Sequence, residues 1–157
     1  MAVVVDFLKW YKENHDSVTN ENGKLVSYDT INNPPNPVTV NWPECNAWLK
    51  KIQESGFVSD KYIEQWSNYF KEQAKSLKAN PEYEGEIDGF GYDFVLFTND
   101  VDETLDSIKN IQIVQIKKND QNQTGVTVYT PPMTLSFYLS EYDGKWLIDN
   151  IVNGCCE

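Results

Sequence analysis

Residues 125–152 constrain the fold of this chain more than any other stretch. They read Val-Thr-Val-Tyr-Thr, then Pro-Pro-Met, then Thr-Leu-Ser-Phe-Tyr-Leu-Ser-Glu-Tyr, then Asp143-Gly144, then Lys-Trp-Leu-Ile-Asp-Asn-Ile-Val. Alternating apolar and polar residues rich in β-branched and aromatic types read as strands, and an Asp-Gly pair between two such runs is a strong hairpin signal. Strands like these need something to cover their apolar face. The first half of the chain supplies it as amphipathic helices. Helices followed by a meandering antiparallel sheet predict one α+β domain over residues 1–157.

Three helices are expected. In residues 3–14, Val4, Phe7, Leu8 and Tyr11 recur at helical spacing. In the second, Pro43 suits a first turn, Cys45, Trp48, Leu49 and Ile52 form the stripe, and Gly56 ends it. The third is capped by Ser59, carries Tyr62, Ile63, Trp66, Tyr69, Phe70, Ala74 and Leu77 on one face, and stops at Pro81. Residues 15–41, with the run Asn-Asn-Pro-Pro-Asn-Pro at 32–37, cannot continue a helix and read as a long loop with one short strand at 25–28. Loops of that length inside a domain are often functional. Residues 82–91 form an acidic, Gly-rich loop, 92–98 a strand, 99–106 an acidic turn or a single helical turn, 111–117 a strand and 118–124 a polar turn.

Pairing the last three strands gives faces that a structure can check. A two-residue turn at Asp143-Gly144 sets Tyr142 opposite Lys145, Leu139 opposite Ile148 and Phe137 opposite Asn150. The Pro131-Pro132 turn is expected to set Val128 opposite Phe137 and Val126 opposite Leu139. One face then carries Val126, Val128, Leu135, Phe137, Leu139, Trp146, Ile148 and Val152 toward the helices. In that register Trp146 is a core residue, whose truncation to Ala costs about 3–5 kcal/mol. The opposite face, with Thr127, Tyr129, Ser136, Tyr138, Ser140, Tyr142, Leu147, Asp149 and Ile151, is mixed and suits half-solvation or a homodimer through the sheet.

Charge narrows the partners. The formal net charge is −11, and all 13 basic residues are Lys. A surface of that sign repels phosphate backbones and anionic membranes, so no nucleic acid is expected, whereas a basic protein is attracted. No apolar run approaches the ~20 residues of a membrane span. Residues 1–6 lack a signal peptide's basic region, so the protein is expected either to be cytoplasmic or to have lost its signal. Three Cys build no disulfide framework, and the adjacent Cys155 and Cys156 are expected to be free thiols.

The terminal strand pair Tyr142-Asp-Gly-Lys-Trp-Leu-Ile-Asp149 behind three helices resembles the nuclear-transport-factor-2-like superfamily. Phe7-Leu-Lys-Trp-Tyr11, Gly56-Phe-Val-Ser-Asp-Lys-Tyr62 and Gly91-Tyr-Asp-Phe-Val-Leu96 resemble a small bacterial family of unknown function within it. The resemblance implies a strongly curved antiparallel sheet around three helices, a cystatin-like cone with a pocket at its wide end. It also implies an exported or lipid-anchored protein, periplasmic or at the cell surface. It carries no activity, because a fold does not fix a function.

Candidate chemistry is sparse. His15 is the single His and has no Cys, Ser or carboxylate at a readable spacing, so it reads as a surface residue at a helix end. No cofactor and no metal are expected: one imidazole makes no His-rich metal site. The acidic runs at Glu84, Glu86 and Asp88 and at Asp100, Asp102 and Asp106 lack the spacing of a Ca²⁺ loop. Some superfamily enzymes use a pocket Asp as a base beside a Tyr, and Asp93 next to Tyr92 is the first pair to nominate, Asp149 the second. Trp10, Trp66, Phe70, Tyr92 and Phe137, with Asp93 at the rim, are the expected pocket lining, between the third helix and the concave sheet. The leading expectation is a non-catalytic binding domain for a small apolar ligand. The alternatives are an acidic immunity-type inhibitor of a basic toxin, and a weak isomerase- or hydrolase-like enzyme using a pocket Asp.

Overall fold

The computed structural model describes residues 2–20, 23–118 and 122–154. The chain is α+β, with four α-helices and antiparallel sheets among the described residues. Helix α1 (Ala2–Val18) buries Val4, Phe7, Leu8 and Tyr11, the stripe read from the sequence, and runs four residues further than expected, taking His15 into the helix. Helix α2 (Trp42–Glu54) starts with Pro in its first turn and ends before Gly56, whose φ of +73° suits glycine. Helix α3 (Asp60–Ala79) buries Tyr62, Trp66, Phe70 and Leu77. Ser59 occupies the N-cap position of α3 but makes no side-chain capping bond, since its hydroxyl donates to Asp149 instead.

Strands β1 (Val26–Ser27) and β2 (Thr39–Val40) pair within the long loop. Asp29 organises the rest of that loop. Its carboxylate accepts from the backbone N–H groups of Ile31, Asn32 and Asn36 and from the side-chain amides of Asn32 and Asn36. These bonds hold its pKa far below the usual carboxylate range. A short helix α4 (Val101–Ser107) and a 3₁₀ turn at Ile108–Asn110 lead into the main sheet, with order β3-β4-β5-β6. Its strands are β3 (Gln112–Lys118), β4 (Gln123–Thr130), β5 (Met133–Tyr142) and β6 (Lys145–Asn153). The expected turn at 118–124 lies partly, and the Cys155-Cys156 pair wholly, outside the described residues.

The register departs from expectation in three places. At the Pro131-Pro132 turn, Val128 pairs with Leu135 and Val126 with Phe137, two residues from the expected partners. A shift of two preserves the faces, so the same residues stay buried. In the last hairpin, Tyr142 pairs with Lys145 and Leu139 with Ile148 as expected, but Phe137 pairs with Ile151. A bulge at Asp149 inserts the extra residue, which turns Ile151 rather than Val152 to the core. Finally, Trp146 is 36% exposed. It shares the parity of Ile148 but pairs with exposed Glu141 beside the Asp143-Gly144 turn, at the tip of the hairpin.

The expected strand at 92–98 is a turn. Asp93 N donates to Thr98 O at 3.1 Å, Phe97 N donates to Asp93 O at 2.8 Å, and Phe97 adopts φ +55°. Phe94, Val95 and Leu96 are all fully buried, which no half-covered strand permits. The Asp93 carboxylate takes the place of a neighbouring strand by accepting from the N–H groups of Val95 and Leu96.

The corrected register separates two neighbours on β6. Ile148→Ala is expected to cost about 2–5 kcal/mol, and Trp146→Ala about 1 kcal/mol or less, by urea denaturation.

Candidate functional site

The six residues nominated from the sequence divide between two ring clusters. Trp66, Phe70 and Tyr92 surround Phe94, with ring centroids 4.5, 6.0 and 5.4 Å from it. Trp48 closes the same cluster at 5.6 Å. Trp10 and Phe137 instead flank Phe7, at 6.0 and 6.4 Å. Edge-to-face and stacked rings at these distances are in packing contact. Asp93 is fully buried, at the junction of the two clusters rather than at a rim. Phe94, the residue that centres the larger cluster, was not singled out, although it completes the aromatic run Phe90-Gly-Tyr-Asp-Phe94.

Asp93 meets Tyr11 and His15 of α1, and its Tyr92 neighbour points elsewhere. Tyr11 donates its hydroxyl to Asp93 Oδ2 at 2.7 Å, and His15 Nε2 lies 3.2 Å from the same oxygen. Oδ1 accepts from Val95 N at 2.9 Å and Leu96 N at 2.8 Å. Asn20 braces the loop from outside, donating to Tyr92 O and accepting from Phe94 N. The Tyr92 hydroxyl is 3.3 Å from that of Tyr69, which donates to Gly89 O. His15 is therefore not a solvated helix end: its side chain is 12% exposed and held by a carboxylate 78 residues away. Both oxygens of Asp93 are engaged, so this buried carboxyl group keeps hydrogen-bond partners inside the core.

Asp149 is engaged in the same way. The hydroxyls of Ser140, Ser59 and Tyr142 donate to it at 2.5, 2.6 and 2.7 Å, and Lys61 lies 3.6 Å away. Burial acts to raise its pKa, but the three hydroxyls and the Lys61 charge outweigh it and hold the group below its ordinary value. Burial pushes the Cys45 thiol up to about 12, and its Sγ donates to Leu25 O, so it is no nucleophile at neutral pH.

A large open space lies elsewhere, on the outside of α3. A cleft of about 640 Å³ runs between the loop around β2 and the last turns of α3, lined by Pro37, Val38, Val40, Trp42, Leu77 and Pro81. Trp42 is 37% exposed there, and among the described residues Lys78 is the charged group of the lining. The sequence signal for this site was the long Pro-rich loop; Trp42 went unread because it precedes the apolar stripe of α2. A smaller, polar cleft of about 400 Å³ lies between α1 and α4, where Glu13, Asp16, Asp102 and Asp106 gather around Lys12 and His15. Among the described residues no group of three or more His, Cys, Asp or Glu side chains is placed to hold a metal ion, and no helix is long and apolar enough to cross a membrane.

Compared with family models, with curated proteins and with solved structures, the chain finds no match.

The depressed pKa of Asp149 sets a pH window. An unfolded Asp titrates near 3.9. Because the folded value is lower, the carboxylate's contribution is complete above about pH 4 and is lost as pH falls through the folded value. Asp149→Asn is expected to cost about 2 kcal/mol at pH 7, the worth of hydrogen bonds to a charged group, and progressively less below pH 4. Denaturation curves of both proteins between pH 2 and 7 check this.

Proposed function

We propose that this domain is a non-catalytic binding module and that the cleft between the β2 loop and α3 takes a small, largely apolar ligand. The observation that carries the reading is the cleft itself. Its volume of about 640 Å³ falls in the range of small-molecule sites, and its wall is mostly aliphatic, Pro and Trp, with Asn36, Thr39 and the cation Lys78 as its polar groups. The loop that forms one wall is held in shape by five hydrogen bonds to Asp29, so the site is built before a ligand arrives. The enzyme reading has less support. A general base needs a free lone pair within reach of substrate, and the oxygens of Asp93 and Asp149 are occupied by structural donors.

The wider proposal is a cystatin-like cone of the nuclear-transport-factor-2-like kind, from an exported or lipid-anchored bacterial protein. Its support is that two of the quoted sequence segments meet in space, Tyr11 of the first donating to Asp93 of the third. A second reading, an acidic inhibitor of a basic toxin, draws on the net charge and on the cleft between α1 and α4, where four carboxylates gather. Salt-sensitive binding of a basic protein, weakened by Asp102→Lys, would favour it.

Titration with 8-anilinonaphthalene-1-sulfonate, followed by NMR, tests the primary reading. Saturable shifts of the Trp42 indole and of the Val38, Val40 and Leu77 methyls are expected, with Kd of about 10–100 μM, and Trp42→Ala weakens binding about tenfold. Shifts confined to other surfaces, or binding indifferent to Trp42→Ala, would refute it.

A further inference from the structure

The cleft on α3 has a sign as well as a shape. Its lining is apolar apart from Asn36, Thr39 and Lys78, and among the described residues Lys78 is the charged group in it. The neighbouring Lys75 already has a partner, Glu72 at 2.7 Å. Lys78 makes no ion pair among the described residues. Side chains pair along a helix at spacings of three and four, and one turn back from Lys78 stand Ala74 and Lys75. One turn ahead stand Pro81, which lines the same cleft, and Glu82. Glu82 lies beside the cleft, since Val38 N donates to its backbone O at 2.7 Å, but its carboxylate accepts from Asp88 N at 3.5 Å. Asp29, the carboxylate of the facing loop, is taken up by the five bonds of that loop.

We propose that the ligand of this cleft is an organic monoanion, with an apolar body against Val38, Val40, Trp42 and Leu77 and one carboxylate-type head at Lys78. The proposal rests on the cleft being the ligand site and adds the charge of what fills it. The lining itself excludes the opposite sign. A cationic ligand meets Lys78 and, among the described residues, finds no carboxylate in the wall. A neutral ligand leaves the ammonium with water as its partner.

The rest of the surface limits the charge to one. The chain carries a net −11, which repels anions at long range, and the repulsion grows with each charge on the ligand. Burial of the apolar body supplies the affinity, and the head supplies the choice between ligands. Lys78 is exposed, so its pairing is partly screened and the preference it confers is modest.

Two probes of one shape, naphthylacetate and naphthylacetamide, titrated and followed by NMR, test the sign. Both are expected to shift the Trp42 indole and the Val38 and Leu77 methyls, with the carboxylate binding about three- to fivefold tighter. The preference is expected to shrink as salt rises from about 20 mM to about 500 mM. Lys78→Gln is expected to bring the ratio of the two Kd values to about one, and Lys78→Glu to invert it. Lys75→Gln, which alters a lysine outside the lining, is expected to keep the wild-type ratio. Circular dichroism of each variant is expected to match the wild type, since both lysines are exposed. Equal affinity for the two probes, or a preference untouched by Lys78→Gln, overturns the monoanion proposal and leaves the cleft as an apolar site. Failure of both probes to shift the Trp42, Val38 and Leu77 signals overturns the cleft reading and this proposal with it.

Discussion

The structure depends on one buried carboxyl group. The carboxylate of Asp93, inside the core, ties α1 to the 93–98 turn through Tyr11 and His15, across 82 and 78 residues of chain. Taking a carboxylate out of water is costly, and it is tolerated where hydrogen bonds to the ionised form replace the lost hydration. Asp93 has two backbone amides donating to one oxygen, and on the other the Tyr11 hydroxyl donating and His15 Nε2 at hydrogen-bond distance. The same bonds that satisfy the buried carboxyl group fix the turn, and the turn delivers Phe94 to the centre of the ring cluster formed by Trp48, Trp66 and Phe70. Polar and apolar parts of this core are therefore one arrangement.

That arrangement bears on where a ligand fits. The rings expected to line a concave pocket are in mutual contact around Phe94 and Phe7. Open space lies instead where the Pro-rich loop bridges past the end of α3. Loops of this kind carry binding sites when something rigid holds them, and here a single half-buried carboxylate, Asp29, does so. Two acidic residues thus perform related tasks at different depths. Asp93 orders a turn inside the core, and Asp29 orders a loop at the surface.

What the sequence made legible was local. Helical stripes, the Asp143-Gly144 hairpin and the α+β order each follow from residues within a few positions of one another, and the structure keeps them. What it hid was long-range. Nothing near His15 in sequence announces a carboxylate, because its partner comes from the turn at 93. The 92–98 segment has strand composition, yet its amides bond to a side chain. At Asp149, three hydroxyls drawn from β5 and from the start of α3 hold the bulged residue and reverse the faces of Ile151 and Val152. Alternation cannot foresee a bulge whose cause lies on other elements. Trp146 has the right parity and is exposed all the same, since parity says nothing about which positions near a hairpin tip are covered. The cleft was half visible: the long loop flagged a site, but its other wall is α3, read only for its buried face.

The most direct test of this account is the stability of Asp93→Asn. If Asp93 serves the fold, replacing one of its oxygens by an amide NH₂ leaves either Tyr11 and His15 or two buried amides without their acceptor, and the variant should lose about 3–5 kcal/mol in urea denaturation at pH 7. A carboxylate kept for chemistry behaves in the opposite way, because functional groups are held at some expense to stability. An Asp93→Asn protein as stable as the wild type, or more stable, would contradict the structural role assigned to Asp93 and return it to the list of candidate bases.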